Sequence, residues 1–219
     1  MSVLGLDTAT AATAAGLLLS DGTLLEARDA PADGGRPRHA QRLLALSAGL
    51  LAEAGRGCGD LDLVAAGTGP GSYTGLRIAL ATARGIARGG GVRLVGVSTL
   101  RALAAPLGER PAAAIIDARR GEAFIAVYRG SHELAAPRVC PPEELAAAVR
   151  GGGPDCLAVG DGALRFCELL ERAGVAVAAA GSDLHRLSAG AICRLAAGGS
   201  HTAPEPEYLR APDAERTRN

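Results

Sequence analysis

The sequence predicts an α/β protein built from a duplicated unit, and two observations support that prediction. First, each half begins with a pair of apolar strands, and the first strand of the pair ends at an aspartate, Asp7 or Asp117. Second, each pair is followed by a helix, a buried strand, a glycine-containing loop and another helix. One element order that occurs twice is typical of a duplicated α/β unit.

The elements of each half follow from its apolar runs and its turn residues. In the first half we predict strands 3–6, 13–19 and 61–66, helices 38–54 and 73–88, and a glycine loop at 67–72. In the second half we predict strands 112–116, 123–128 and 156–159, helices 142–150 and 163–173, and a loop at 160–162.

Proline and glycine mark a linker near residues 104–111. We therefore place an N-terminal lobe at 1–104 and a C-terminal lobe at 105–204. Residues 205–219 form a tail that is rich in proline and charge. We expect residues 205–210 to pack back on the protein and residues 212–219 to be mobile.

The composition excludes several kinds of chemistry. All 23 basic residues are arginine, which excludes the lysine of a Walker phosphate loop, a Schiff-base lysine and a Ser-x-x-Lys acyl enzyme. The formal net charge is zero and there are five aromatic residues, so a strong grip on nucleic acid by this chain alone is not expected. Any RNA in an assembly with this chain would be held mainly by a partner.

Cysteine and histidine give no metal pattern. The five cysteines are widely spaced, and the four histidines form no closely spaced pair, so we predict no metal site. The N-terminus has no basic leader, and no stretch reaches the roughly 20 apolar residues that a membrane span needs. We expect a cytoplasmic protein with reduced thiols and no membrane contact.

The glycine loop is the most distinctive segment. A strand that runs into a glycine-rich loop and a helix can receive an anion at the helix N-terminus, and Gly69, Gly71 and Ser72 would form that pocket. The loop lacks the lysine of a Walker motif and the glycines of a nucleophile elbow. A tight turn that brings the helix close to its strand explains the glycines equally well, so both interpretations stay open.

The two helices of the first lobe carry more apolar surface than one sheet can cover. This predicts either a partner interface or a fully internal helix pair, and we favour the interface. Its candidate residues are Leu43, Leu44, Leu46, Leu50, Leu51, Gly75, Leu76, Ala79, Ala83 and Ile86.

Asp7 and Asp117 suggest a rival function, a small-molecule kinase or ATPase that uses Asp7, Thr8, Thr10 and Asp117 around Mg-ATP. The turn after Asp7 lacks phosphate-cradling glycines, however, and two bulky arginines follow Asp117. We therefore expect a degenerate nucleotide-like cleft with no catalytic residue. We also expect His39 to face solvent or to cap its helix, and Glu122 to form a salt bridge.

Several motifs together resemble the TsaB (YeaZ) family over almost the whole chain. They are Leu6-Asp-Thr-Ala-Thr10, the helix from His39, Gly69-Pro-Gly-Ser-Tyr-Thr-Gly-Leu-Arg77, Gly96-Val-Ser-Thr-Leu100, Ile116-Asp-Ala-Arg-Arg-Gly-Glu122 and Pro206-Glu-Tyr-Leu-Arg210. The resemblance implies an actin/hexokinase/Hsp70-like (ASKHA) fold of two RNase H-like lobes.

The resemblance also implies a function in tRNA modification. The chain would be a noncatalytic dimerisation subunit of the complex that makes threonylcarbamoyladenosine at position 37 of tRNA. Its partners would be the catalytic TsaD paralogue and a TsaE-type ATPase, with a homodimer when alone and tRNA bound indirectly. It would need no cofactor of its own, although ATP or ADP could lie at the complex interface. TsaD binds a metal through two histidines, and the helix from His39 lacks the second one.

Overall fold

A computed structural model describes residues 1–31 and 35–210, which form two compact units. Unit 1 contains Met1–Ala102 and Leu187–Pro206. Unit 2 contains Leu103–Arg186 and the described residues from Glu207 onward. The expectation of mobility for residues 212–219 lies outside the described residues.

Unit 1 contains a five-stranded sheet in the order β3-β2-β1-β4-β5. Strands β1 to β3 are antiparallel neighbours, whereas β4 and β5 run parallel to β1. Residues of β1 and β4 are buried throughout because both faces of the sheet are covered. The strands are β1 (Val3–Asp7), β2 (Thr13–Leu18), β3 (Leu24–Asp29), β4 (Leu63–Gly69) and β5 (Arg93–Ser98).

Helices cover both faces of this sheet. Leu4 and Leu6 of β1 belong to a core with α1 (His39–Glu53) and α2 (Tyr73–Gly90). Helix α3 (Thr99–Ala104) follows β5 directly. The opposite face of β1 and β2 contacts α7 (Ala189–Ala197).

Unit 2 repeats this plan. Its sheet has the order β10-β9-β6-β7-β8, in which β6 to β10 take the places of β1 to β5. The strands are β6 (Ala112–Asp117), β7 (Ala123–Arg129), β8 (His132–Cys140), β9 (Leu157–Val159) and β10 (Ala176–Val177), and the helices are α4 (Pro142–Arg150), α5 (Asp161–Arg165) and α6 (Cys167–Arg172). The predicted duplication is therefore confirmed. The predicted single helix 163–173 is wrong, since Phe166 separates α5 from α6.

The predicted end of the C-terminal lobe at residue 204 needs correction. Helix α7 (Ala189–Ala197) belongs to unit 1, where it packs on β1 and β2. Glycine permits this approach, because a Cβ on Gly5 would lie 2.7 Å from the Cys193 sulfur and one on Gly16 would lie 2.9 Å from the Ala189 carbonyl carbon. Most of the α7 surface is buried as a result.

No helix in residues 1–31 and 35–210 is long and apolar enough to cross a membrane.

Candidate functional site

The carboxylate of Asp7 is the first predicted site group, and it is completely buried at the end of β1. Its Oδ1 accepts a hydrogen bond of 2.7 Å from the Ala9 N–H, and its Oδ2 accepts one of 2.9 Å from the Thr99 hydroxyl. The Thr99 oxygen in turn accepts the Gly69 N–H at 3.1 Å. These bonds tie the end of β1 to the glycine loop.

Gly67 closes another side of this carboxylate. Any side chain at Gly67 would overlap the Asp7 carboxylate, so glycine lets β4 pass directly against it. Burial is the largest influence on this group and raises the pKa of Asp7 to about 6, while the bonds from Ala9 and Thr99 oppose the rise. Asp7 therefore presents no exposed oxygen to a nucleotide, and its place in a degenerate nucleotide-like cleft stays a prediction.

The two threonines after β1 differ in exposure. Thr8 is buried and donates its hydroxyl proton to the Gly75 carbonyl oxygen at 2.7 Å. Thr10 is partly exposed, and its hydroxyl oxygen accepts the Ala12 N–H at 3.4 Å. Thr8 thus joins β1 to the first turn of α2, and of the predicted residues Asp7, Thr8 and Thr10, Thr10 is the one that reaches the surface.

The glycine loop lies directly on the turn after β1. The Ser72 N–H donates to the Ala9 carbonyl oxygen at 2.7 Å, and a Cβ on Gly71 would lie 2.5 Å from the same oxygen. Gly69 has a φ of 103°, a region that favours glycine. The loop glycines therefore serve a close backbone approach.

The first turn of α2 is capped from within the chain. The Ser72 Oγ accepts the Gly75 N–H at 3.3 Å, and the Ser72 carbonyl accepts the Leu76 N–H at 2.9 Å. With these donors engaged and Ala9 filling the loop, the structure favours the tight turn over the anion pocket at Gly69, Gly71 and Ser72.

Asp117 ends β6, which is the position that Asp7 has in unit 1. Its carboxylate lies 3.4 Å from the Arg119 guanidinium and 3.2 Å from that of Arg165. Its N–H donates to Asp161 Oδ1 at 3.1 Å, and burial is the main cause of the raised pKa of Asp161. Arginines therefore neutralise Asp117 where a divalent cation would need its charge. Asp7 lies in unit 1 and Asp117 lies in unit 2. That the two aspartates share one nucleotide-like cleft therefore stays a prediction.

The tail was expected to pack back on the protein over residues 205–210, and Arg210 does so on unit 2. Arg210 donates to the Ala118 carbonyl oxygen at 3.0 Å, forms an ion pair with Glu122, and lies 6.0 Å from the centre of the Phe124 ring. The predicted salt-bridge role of Glu122 is confirmed, although its partner comes from the tail. Sequence reasoning used Arg210 as part of a motif and missed this contact.

His39 differs from its predicted solvent-facing or capping role. It is buried at the start of α1, and its Nδ1 lies 2.9 Å from the Thr13 hydroxyl oxygen. Burial is the main cause of its lowered pKa. In the part of the chain that the structure describes, no group of three or more His, Cys, Asp and Glu side chains could hold a metal ion.

Most of the predicted interface residues lie inside unit 1. Eight of the ten are buried in the chain by itself: Leu43, Leu50, Leu51, Gly75, Leu76, Ala79, Ala83 and Ile86. Leu46 is partly exposed, and Leu44 has 58% of its surface exposed. Six of these eight residues, all except Gly75 and Leu76, belong to the core between the helices and the sheet. The burial of all eight corrects their assignment to a contact surface.

A different set of residues covers the outer side of the two helices. We call this set the α1/α2 face. It is apolar and made of small residues apart from one leucine, and its exposed members are Leu44, Ala45, Ala48, Gly49 and Ala52 of α1 and Ala81, Gly85 and Gly89 of α2. Helical periodicity predicted the apolar character of these helices, but it could not say which side the sheet would cover.

Comparison with known proteins relates the chain to proteins of tRNA threonylcarbamoyladenosine biosynthesis. The family model TsaD, described as tRNA N6-adenosine threonylcarbamoyltransferase, matches residues 35–158, more than half of the chain. The tRNA threonylcarbamoyladenosine biosynthesis protein TsaB of Escherichia coli is 37% identical over 133 residues, which cover 59% of this chain and 55% of the relative. The protein of the same name from Haemophilus influenzae is 33% identical over 122 residues, covering 48% and 52%.

In these two matches, the aligned part of the chain covers about half of the length of each curated relative. A solved structure matches more completely. YeaZ from Pseudomonas aeruginosa is 31% identical with a TM-score of 0.77, and the match covers 95% of this chain and 100% of that one.

The repeated sheet order and the helices around each sheet define a protein of the actin/hexokinase-like (ASKHA) class, built from two RNase H-like units. Within that class its loop after β4 is closed by backbone contacts. The chain belongs to the TsaB (YeaZ) family.

Proposed function

We propose that this protein is a noncatalytic subunit of the complex that makes threonylcarbamoyladenosine at position 37 of tRNA. In that complex it would support threonylcarbamoyl transfer by its TsaD paralogue. The names of the E. coli and H. influenzae relatives support the pathway. The protein would act in the cytoplasm, where tRNA is modified.

The burial of Asp7 is the observation that carries the noncatalytic part of the proposal. A nucleotide-binding aspartate must offer an oxygen to water or to a cation, whereas both Asp7 oxygens accept hydrogen bonds inside unit 1. The Ala9 carbonyl also fills the glycine loop where a phosphate would sit. This unit therefore needs no cofactor of its own, and any ATP or ADP would bind at the complex interface.

The α1/α2 face supports the dimerisation part of the proposal. Exposed apolar groups gathered on one surface favour burial against another protein. Small side chains at Ala48, Gly49 and Gly85 would let a partner helix come close to α1 and α2. We assign this face to the TsaD paralogue, and to a second copy of the chain when the paralogue is absent. The TsaE-type ATPase and tRNA would join through the complex.

Depletion of the protein tests the pathway. After depletion, nucleoside analysis of bulk tRNA should show a fall in threonylcarbamoyladenosine, and expression of the wild-type chain should restore it. A second modified nucleoside at another tRNA position serves as the control and should stay constant. Normal threonylcarbamoyladenosine in depleted cells would refute the proposed function.

A further inference from the structure

The β6–β7 turn, residues 118–122, has an unusual backbone conformation. Arg119 and Arg120 have φ angles of 64° and 54°, and Gly121 follows with a φ of 81°. Glycine adopts such angles freely, and among other residues asparagine and aspartate tolerate them best. Two adjacent arginines in this region are therefore strained, and strained residues persist only where the surrounding contacts fix them.

Hydrogen bonds within the turn provide part of that restraint. The Ala118 N–H donates to the Glu122 carbonyl oxygen at 3.0 Å, and the Glu122 N–H donates to the Arg119 carbonyl oxygen at 3.1 Å. The Arg119 N–H donates to Asp117 Oδ1 at 2.8 Å. The backbone conformation of Arg119 is thus coupled to the carboxylate of Asp117.

Arg210 supplies a further contact from outside the turn. Its guanidinium donates to the Ala118 carbonyl oxygen at 3.0 Å and forms an ion pair with the Glu122 carboxylate. One side chain therefore holds the first and the last residue of the turn. The Arg210 side chain has 17% of its surface exposed, so solvent and salt screen this ion pair less than a pair of fully exposed side chains.

This ion pair joins parts of the chain that are far apart in sequence. Arg210 and Glu122 are separated by 88 residues. By contrast, Arg172 and Arg186 of unit 2 pair with exposed carboxylates three or four residues away. The Arg210 contact therefore fixes the tail to the β6–β7 turn, whereas the other two act within one short helical segment.

We propose that Arg210 is a latch that keeps the β6–β7 turn in its strained conformation and thereby keeps Asp117 paired with Arg119. Without the latch, Arg119 and Arg120 can return to the negative φ angles that residues with a Cβ prefer. The Arg119 N–H then turns away from the carboxylate, and Arg165 is left as the arginine partner of Asp117. Displacement of the tail would therefore change the charge environment of Asp117.

A turn that is held by its own hydrogen bonds alone is the competing explanation. In that case the bonds of Ala118 and Glu122 fix the backbone, and the Arg210 contact has no effect on it. Hairpin turns normally place asparagine, aspartate or glycine where φ is positive. Arginine at two such positions favours an additional restraint from outside the turn, and Arg210 supplies one.

Amide hydrogen exchange of the full chain, measured by NMR spectroscopy, tests the latch. The variant Arg210→Gln removes the ion pair, so the Arg119 and Glu122 amides should exchange about tenfold faster or more. The Arg119 amide reports directly on the bond to Asp117. The amides of Ile115 and Ile125, in the paired strands β6 and β7, should keep their rates.

Two further variants serve as matched controls. Arg172→Gln removes an arginine from an exposed ion pair of unit 2 and should leave the amides of the turn unchanged. Glu122→Gln breaks the latch from its other side. The double variant of Glu122→Gln and Arg210→Gln should exchange no faster than Arg210→Gln alone, because both substitutions remove the same contact.

Faster exchange that is confined to the turn supports the latch. Unchanged exchange in Arg210→Gln overturns the inference, since the turn then holds its own conformation. Equally faster exchange throughout unit 2 also overturns it, because Arg210 would then be a general stabilising contact. Urea unfolding of each variant gives the global stability with which the local exchange rates are compared. The inference does not depend on the proposed function, because it requires neither a partner protein nor RNA.

Discussion

At the scale of single residues, the most informative group is the buried carboxyl of Asp7. A charged group in an apolar interior is costly unless it is well paired. Here two hydrogen bonds compensate for only part of the cost, which is why its pKa is raised to about 6. The folded protein therefore binds a proton at this site more tightly than the unfolded chain does.

Asp7→Asn should reduce the dependence of stability on pH. Because the pKa of Asp7 rises from 3.8 to about 6 on folding, the wild type loses stability as pH rises from about 4 to 6. A shift of this size corresponds to about 3 kcal/mol. The neutral amide avoids that cost, so the variant should gain stability relative to the wild type at pH 7.5 and gain little at pH 4. Urea unfolding at both pH values measures the difference.

One outcome of the urea unfolding experiment would contradict the expected effect of Asp7→Asn. An equal stability difference at pH 4 and pH 7.5 would mean that the Asp7 carboxyl does not titrate on folding. The same pair of proteins also tests the rival kinase or ATPase function. An ATPase rate of the pure wild-type chain that Asp7→Asn abolishes would contradict the noncatalytic proposal.

At the scale of elements, the two units use equivalent helices differently. Helix α1 and its counterpart α4 both pack one apolar side on a sheet. The outer side of α1 is formed by alanine, glycine and leucine, with the polar residues Gln41 and Glu53 near its two ends. The outer side of α4 includes Glu143, Glu144 and Arg150. This difference is the reason that we propose unit 1, and not unit 2, as the site of the contact.

Ala48→Glu should therefore disrupt pairing with the paralogue without unfolding the chain. Ala48 is exposed at the centre of the outer side of α1, so a glutamate there becomes buried and unpaired only in the complex. We expect affinity to fall about a hundredfold, or ~3 kcal/mol. Calorimetric titration of the variant against the TsaD paralogue measures it.

Ala147→Glu is the matched control, because Ala147 is exposed on α4. It should leave the affinity unchanged. Ala79 and Ala83 are unsuitable for this test, since both are completely buried in the chain alone. Equal binding by Ala48→Glu and the wild type would place the contact elsewhere.

The sequence predicted the central elements well and the edge strands poorly. Buried strands such as β1 and β6 are uninterrupted apolar runs, so composition reveals them. Edge strand β3 is only partly buried, edge strand β8 is largely exposed, and both carry mixed residues, so they lack that signal. The two-residue β10 is too short to give a pattern.

The site was harder to predict than the fold. Sequence spacing correctly placed Asp7 and Asp117 at equivalent strand ends. It could not show that Thr99, remote in sequence, would donate to Asp7 or that Gly67 would lie against it, because both contacts depend on how strands align. The same limit applies to Arg210 and Glu122.

At the scale of the whole molecule, helix α7 completes unit 1. Helix α7 covers the face of the sheet where Gly5 and Gly16 leave room for it. Glu26 of β3 fixes its start, because one carboxylate oxygen accepts both the Ser188 hydroxyl and the Gly190 N–H at 2.8 Å. Unit 1 is therefore incomplete without Leu187–Pro206.

A chain that ends at Arg186 should fail to form a stable unit 1. Loss of α7 exposes the apolar face of β1 and β2, so we expect aggregation and loss of the cooperative thermal transition. A chain that ends at Arg210 keeps all of the described residues. We expect it to melt at the same temperature as the full chain. Thermal melting and light scattering compare the three. A soluble, cooperatively melting product that ends at Arg186 would contradict the role given to α7.

The position of α7 also orders events during protein synthesis. Unit 1 starts at the first residue but closes with residues 187–206, whereas nearly all of unit 2 lies between them. As the chain leaves the ribosome, the middle of the polypeptide can therefore finish folding before its beginning does. Until residues 187–206 have left the ribosome, the newly made β1 and β2 remain open to chaperones on the side that α7 will occupy.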